Sequence, residues 1–588
     1  MTTTTPSGND SLTNLGLTLV GAAIVLAGVL RLAGTIAAAL DGAPTPDGGL
    51  GAGVSVLTHA DAPGDALDSP GLSPILYWAV VAVLLAAVVV VTLTGWRFAV
   101  GHRRRREQDP HLAVGTASRA DVAKTASARA LVARAKDLRP SLTKPTPADV
   151  GYLLGHCNGK EVWASVEDSI LVLGPPRSGK GLHLVINTIL DAPGAVVSTS
   201  TRPDNLAITM TARARRGPVA VFDPQRLASS LPAGLRWSPL RGCEDPETAS
   251  IRATGFAAST GLSRGGGVES GSFWEGKART ALQALLHAGA LGGRDARELY
   301  TWSVNAPAAA DAVAILHSHP DAAPGWAESL EATIHADPRT RESVWTGVGQ
   351  ALACLANPAT LDAVTPTPGE HFSPADFLRD NGTLYLLATG AGSKTVWPLI
   401  AAFVEDVVQT ASRLAAASPG ARLDPPLLLS LDEIGNLAPL PSLPHLMSEG
   451  GGTGITTMPV LQSLELAREN WGRSAAGAIW DAAITKVILG GSSSADDLRA
   501  LSALIGERDE VTTSTTVGRD GERSTQTSTR RVPVLPPEQI RTLPFGVGLT
   551  LLRSTAPLIT DLRPWLARSD VEVLRSARQG LERILQLG

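Results

Sequence analysis

Three cysteines in 588 residues, Cys157, Cys243 and Cys354, are too few and too scattered for a disulfide framework or a zinc site. They read as buried structural thiols of a chain whose bulk lies in a reducing compartment. Charged residues are scarce, at 18%, and the net charge is −4. That excludes a basic nucleic-acid coat and leaves any contact with DNA to a local patch or channel. No internal repeat is visible, which excludes solenoids and propellers. Lys and Arg are missing altogether from the stretch Asp41 to Pro74, which carries Asp41, Asp47, Asp61, Asp65 and Asp68 instead.

What flanks that stretch is apolar. Leu12 to Leu30 is uncharged, and apolar character resumes after Arg31 as far as Leu40. Ile75 to Gly95 is a second uncharged run, rich in Val, Ala and Leu. About 20 helical residues cross a bilayer core, so both runs qualify as transmembrane helices. The first lacks a basic n-region and is long, which argues against a cleaved signal peptide. His102-Arg103-Arg104-Arg105-Arg106 follows the second run directly. By the positive-inside rule both chain ends lie in the cytoplasm and the acidic loop lies outside, as in a multi-pass protein of the inner or plasma membrane. The four arginines read either as this topology signal, resting on anionic headgroups, or as a DNA contact.

Beyond the anchor, short apolar runs alternate with helical segments, the pattern of an α/β domain with a mostly parallel sheet. Candidate strands are Ser169–Leu173, Ala195–Thr199, Val219–Asp223, Thr383–Ala388, Leu427–Leu431, Ile455–Leu461, Ala483–Leu489 and Val547–Leu552. From about Glu247 to Ala363 the pattern is Ala-rich and helical with no convincing strand, which reads as an all-helical insertion. Val511 to Arg531, rich in Ser and Thr around Gly518-Arg519-Asp520-Gly521, reads as a hairpin or a mobile surface loop. The resulting division is a membrane anchor (1–106, spans about 12–40 and 75–95) and a cytoplasmic linker (107–150). A nucleotide-binding domain follows in two parts (151–246 and 376–567) around the insertion (247–375), and the chain ends in an amphipathic helix (568–588).

Two segments carry chemistry. Leu171-Val172-Leu173 runs into Gly174-Pro175-Pro176-Arg177-Ser178-Gly179-Lys180-Gly181. Gly174 and Gly179 let the backbone wrap so that successive amides face a phosphate, and the following helix adds the positive end of its dipole. Lys180 is expected to reach the β- and γ-phosphates. The generic motif ends in Ser or Thr, whose hydroxyl binds magnesium; here that position is Gly181. The second segment, Leu427-Leu428-Leu429-Ser430-Leu431-Asp432-Glu433, places two carboxylates at the C-terminal edge of a buried strand, where open parallel sheets bind ligands. Asp432 is expected to hold Mg2+, and Glu433 to orient and polarise the attacking water. Together they are the halves of a RecA-like P-loop nucleoside triphosphatase that uses ATP. Gln462, at the end of another strand, reads as a sensor of the γ-phosphate or as a plain polar cap.

With these residues in view, the chain resembles the VirD4/TraG-type coupling proteins of type IV secretion, membrane-anchored ATPases of conjugation. The resemblance runs from the anchor to about Trp565. It rests on Gly179-Lys180-Gly181, Leu431-Asp432-Glu433-Ile434-Gly435-Asn436, Ile455 to Leu464, Phe273-Trp274, and Val534-Leu535-Pro536-Pro537-Glu538-Gln539-Ile540-Arg541. Gly181 is normal for that branch. Thr199-Ser200-Thr201-Arg202-Pro203-Asp204 stands where many relatives carry Asp-Pro-Lys-Gly-Glu and is similar to actinobacterial variants. The resemblance implies a homo-hexameric ring that receives a relaxase bound to single-stranded DNA and passes it to a secretion channel. In place of the Arg that such relatives carry before the Gln strand, this chain has Glu449-Gly450-Gly451-Gly452-Thr453-Gly454, and the nearest candidate fingers are Arg468 and Arg473. Two other readings stand beside it: an FtsK-like double-stranded DNA translocase, and a membrane receptor that binds nucleotide without hydrolysing it.

Overall fold

The computed structural model describes residues 9–587 except positions 48, 108, 229, 231–233, 259–267, 368, 371, 389–392, 438 and 518–522. The chain divides into two units, 1–112 with 509–532, and 113–508 with 533–588. The tip expected at Gly518 to Gly521 lies outside the described residues.

In the first unit, helices Asn9–Asp41 and Pro74–Glu107 each contain a segment long and apolar enough to cross a membrane. The acidic connection between them is folded. Val56, Leu67 and Leu72 pack on Leu30, Ala33 and Ala37 of the first helix and on Tyr77 and Val81 of the second. Tyr77 donates its hydroxyl to the Leu30 carbonyl at 3.0 Å. Arg31, the one charge inside the apolar run, donates to Thr35 Oγ1 at 2.8 Å and to the Pro46 carbonyl, so its guanidinium is hydrogen-bonded within the protein. The Ser/Thr-rich segment forms a two-stranded hairpin of Glu507–Val517 and Arg523–Pro533.

The second unit is built on an eleven-stranded sheet. In chain order its strands are β1 (Gly151–Cys157), β2 (Lys160–Ser165), β3 (Ile170–Leu173), β4 (Val196–Ser200), β5 (Val219–Phe222), β6 (Thr383–Leu387), β7 (Leu427–Asp432), β8 (Ile455–Leu461), β9 (Thr485–Leu489), β10 (Val547–Leu552) and β11 (Leu558–Leu562). Their order across the sheet is β2-β1-β11-β10-β9-β3-β8-β7-β4-β6-β5. The seven strands from β9 to β5 are parallel. They read as near-continuous apolar runs because helices cover both faces. The other four add an antiparallel flank. Between β5 and β6 every described element is helical, from Pro246–Ala258 to Pro374–Arg379. A buried charge cluster ties the first of these helices to the sheet-covering helix Ser393–Ala416: Asp406 accepts from Arg252 at 2.7 Å, Trp237 Nε1 at 2.9 Å and Arg241 at 3.1 Å. Removing one partner of such a cluster leaves a buried charge uncompensated, which is strongly destabilising.

Two expectations change here. Residues 113–150, read above as a linker, belong to the second unit, where Val122, Leu131 and Leu138 join the core formed with β1 and β2. Alanine and single branched residues at helical spacing supply that face among surrounding charges. The flank of β1, β2 and β11 was not foreseen either.

Candidate functional site

All four residues of β3 are buried, and the chain leaves its tip as the glycine-rich loop. The Gly174 amide donates to the Leu461 carbonyl at 3.1 Å, which holds the start of the loop to the tip of β8. A side chain at Gly174 would come within 2.6 Å of Ser178 Oγ. Gly179 sits at φ +90°, and a Cβ there would meet His183 and Phe545 at 2.8 and 2.9 Å. Arg177, at φ +64°, takes the left-handed conformation without being glycine, a strain that sites of function carry. The helix after the loop opens with a π turn, Gly181–Val185, before the α-helix Ile186–Asp191. Such turns cluster at functional sites. His183, in this turn, packs edge-on to Phe545 with ring centroids 5.2 Å apart, and burial pulls its pKa down.

Lys180 is buried and donates to the carbonyls of Gly174 and Pro175 at 2.6 and 3.0 Å. Burial lowers its pKa, opposed by the carboxylates of Asp432 and Glu433. Asp432 ends β7; its carbonyl accepts from Thr199 Oγ1 at 2.9 Å and its carboxylate from Asn205 Nδ2 at 3.1 Å. Burial pushes the Asp432 pKa up to about 6, with the Asn205 hydrogen bond opposing, Glu433 adding to the rise and Lys180 opposing it. Glu433 stands just past the strand at φ +54°, another non-glycine in the left-handed region.

Residues Pro176 to Gly181, Asp432 and Glu433 line one cavity of about 520 Å³, a size that admits a cofactor-sized ligand. Gln462 does not line it. It follows β8, which lies between β3 and β7, so it stands between the strand tips that carry Lys180 and Asp432. Arg468 is paired with Glu465 at 2.8 Å and Asp497 at 3.0 Å within its own subunit.

The cavity also takes in residues not expected at the site, among them Arg202 and Asn205 after β4, and Trp565 and Arg578 near the C-terminus. For Asn205 a signal existed in the polar run that follows an apolar strand. Trp565 and Arg578 reach the site only through the tertiary fold.

No group of three or more His, Cys, Asp or Glu side chains among the described residues forms a metal cage. One carboxylate beside a phosphate loop suits magnesium, which keeps its waters and binds through few protein ligands plus phosphate oxygens. Ser178 Oγ is buried without a hydrogen-bond partner and lies on the same cavity wall. A Cβ at Gly181 meets nothing within 4 Å. Gly181→Ser is therefore expected to fold normally and to raise magnesium affinity in the presence of nucleotide by about 1 kcal/mol, some fivefold, from one added ligand. A magnesium titration of nucleotide binding checks this; unchanged affinity means that the hydroxyl does not reach the ion.

The family described as "TraM recognition site of TraD and TraG" matches residues 426–545. No curated protein matches the chain. Among solved structures, the bacterial conjugative coupling protein TrwBdeltaN70 in its unbound monoclinic form superposes with a TM-score of 0.53 at 18% identity, covering 75% of this chain and 92% of that one. TrwB in complex with the non-hydrolysable ATP analogue ADPNP gives 0.52 at 18% identity, covering 73% and 92%. TrwB in complex with ADP and Mg2+ gives 0.51 at 18% identity, covering 74% and 94%. The fold of the second unit is thus the TrwB-like P-loop fold, and the segment that the family model matches runs from β7 to just before β10.

Proposed function

We propose that this chain, a coupling protein of the VirD4/TraG type, is a membrane-anchored ATPase that brings relaxase-bound single-stranded DNA or protein substrates to a type IV secretion channel. The observation that carries the reading is the convergence of Lys180, Asp432 and Glu433 on one cavity from strands β3 and β7, which are far apart in the chain. The family match and the fold shared with a conjugative coupling protein support the cellular role. The two apolar helices support the anchor, with the ATPase unit cytoplasmic by the basic run after the second.

In this reading the amides of Arg177 to Gly181 cradle the phosphates, and Lys180 exchanges its loop carbonyls for β- and γ-phosphate oxygens. Asp432 would hold magnesium, which would supply positive charge against the negative charge that develops on the phosphates. Asn205 fixes the orientation of the Asp432 carboxylate. Glu433 takes a proton from the attacking water, and Gln462 reports the state of the γ-phosphate to β8. Arg468 is engaged within its own subunit, and the trans-acting part of the site falls to a neighbour in a homo-hexameric ring.

The test is ATP turnover by the full chain in detergent, with and without DNA. Single strands are expected to stimulate turnover several-fold. Stimulation by duplex alone would favour the FtsK-like reading. Tight ATP binding with no turnover under any condition would favour a receptor that uses nucleotide only for assembly.

A further inference from the structure

The C-terminal segment is fastened to the phosphate-loop helix. Asp191, the last residue of that helix, accepts from Arg568 at 2.7 Å and also from Arg563. Asn187 Nδ2 donates to the Arg563 carbonyl at 2.7 Å. Trp565 is buried with Ile186, Leu190, Ile208 and Leu574. Helix Val571–Leu587 then runs along helix Asp204–Arg213, with Leu581 and Leu585 packed against Leu206 and Val221.

Residues 574, 581 and 585 fall on one face of that helix, since seven and eleven residues are close to whole numbers of turns. Arg578, four residues after Leu574, falls on the same face. What lies opposite is the nucleotide cavity, of which Arg578 is a lining residue together with Lys180, Arg177 and Arg202. The Arg578 Nε donates to Glu582 at 2.7 Å one turn further on, and both side chains are half-exposed. A guanidinium has five N–H donors, so this pair uses only part of its capacity.

We infer that Arg578 is a ligand of the bound nucleoside triphosphate, supplied in cis by the C-terminal helix, and that nucleotide draws it from Glu582 and tightens this helix over the cavity. The inference rests on the nucleotide-site reading above. Trp565 and the apolar residues around it form the wall against which the rest of the nucleotide lies.

The experiment measures ATP affinity of the full chain as wild type, Lys180→Ala, Arg578→Ala and Glu582→Gln, with hydrogen exchange over 571–587 with and without ATP. Arg578→Ala is expected to weaken ATP binding about tenfold, the scale of one charge-assisted hydrogen bond. Glu582→Gln, which removes the competing carboxylate, is expected to bind ATP as well as wild type or better. ATP is expected to slow exchange over 571–587 in wild type but not in Arg578→Ala. Binding by Arg578→Ala within twofold of wild type overturns the inference, provided that Lys180→Ala has lost binding. Equal weakening by Glu582→Gln also overturns it, because the effect would then be loss of helix stability. Wild-type binding by Lys180→Ala would instead overturn the nucleotide-site reading itself.

Discussion

Glu433→Gln is expected to lower ATP turnover by about 10²–10⁴-fold, the usual contribution of a positioned general base, while ATP affinity stays within about threefold of wild type. The substitution keeps the shape of the side chain and a backbone at φ +54°. It removes the negative charge and with it the ability to accept a proton. The neighbouring Asp432 is not free to take over, because its carboxylate is held by Asn205 and is committed to magnesium in the proposed mechanism. The variant should therefore accumulate with uncleaved ATP bound, which single-turnover chemistry with separation of ATP from ADP will show. Turnover within tenfold of wild type would remove Glu433 from the mechanism and return the base to a water chain or to another subunit.

Lys180→Ala is expected to fail one step earlier, at binding. The ammonium now rests on two loop carbonyls, so the residue is already positioned at the phosphate end of the cavity. Two charge-assisted hydrogen bonds at about 1.5–3 kcal/mol each correspond to a loss of roughly 10²–10⁴-fold in affinity for the triphosphate. The same truncation leaves the Gly174 and Pro175 carbonyls without this donor, so the loop itself loosens. Calorimetric titration with a slowly hydrolysed ATP analogue checks this, and an affinity within threefold of wild type would rule out the phosphate role of Lys180. The two variants differ in kind: one binds and does not cut, the other does not bind.

The parts of this site that were legible in the sequence are those written in local pattern. Ile170–Leu173 and Leu427–Leu431 are apolar runs, interrupted only by Ser430, that end in Gly or Asp, because both strands are buried on two faces and stop at the ligand edge. Asn205 was harder, since its value depends on β4 lying beside β7, a pairing between residues more than two hundred positions apart. Trp565 and Arg578 were illegible for the same reason in stronger form, as Trp565 packs on the phosphate-loop helix and Arg578 reaches the cavity only through the docking of the C-terminal helix. The antiparallel flank did leave one local mark. Asn158-Gly159, both at positive φ (51° and 70°), is the preferred two-residue hairpin turn between β1 and β2 and marks that hairpin in the sequence. Residues 113–150 misled because alanine-rich helices bury a narrow face that composition alone does not distinguish from a solvated tether.

Strand β3, which launches the phosphate loop, has β8 on one side and β9 on the other. Both are made late: the ladder joins Ile170 to Thr485, 315 positions further along the chain. On a ribosome adding about 5–20 residues each second, that gap corresponds to roughly 15–60 s during which the loop exists without either neighbour. The loop therefore cannot be held in its binding shape while the chain is young. An emerging polypeptide whose apolar anchor has already left the ribosome can engage the membrane before it can grip a nucleotide. Placement thus precedes competence in the life of each molecule, and the order is written into which strands stand beside β3.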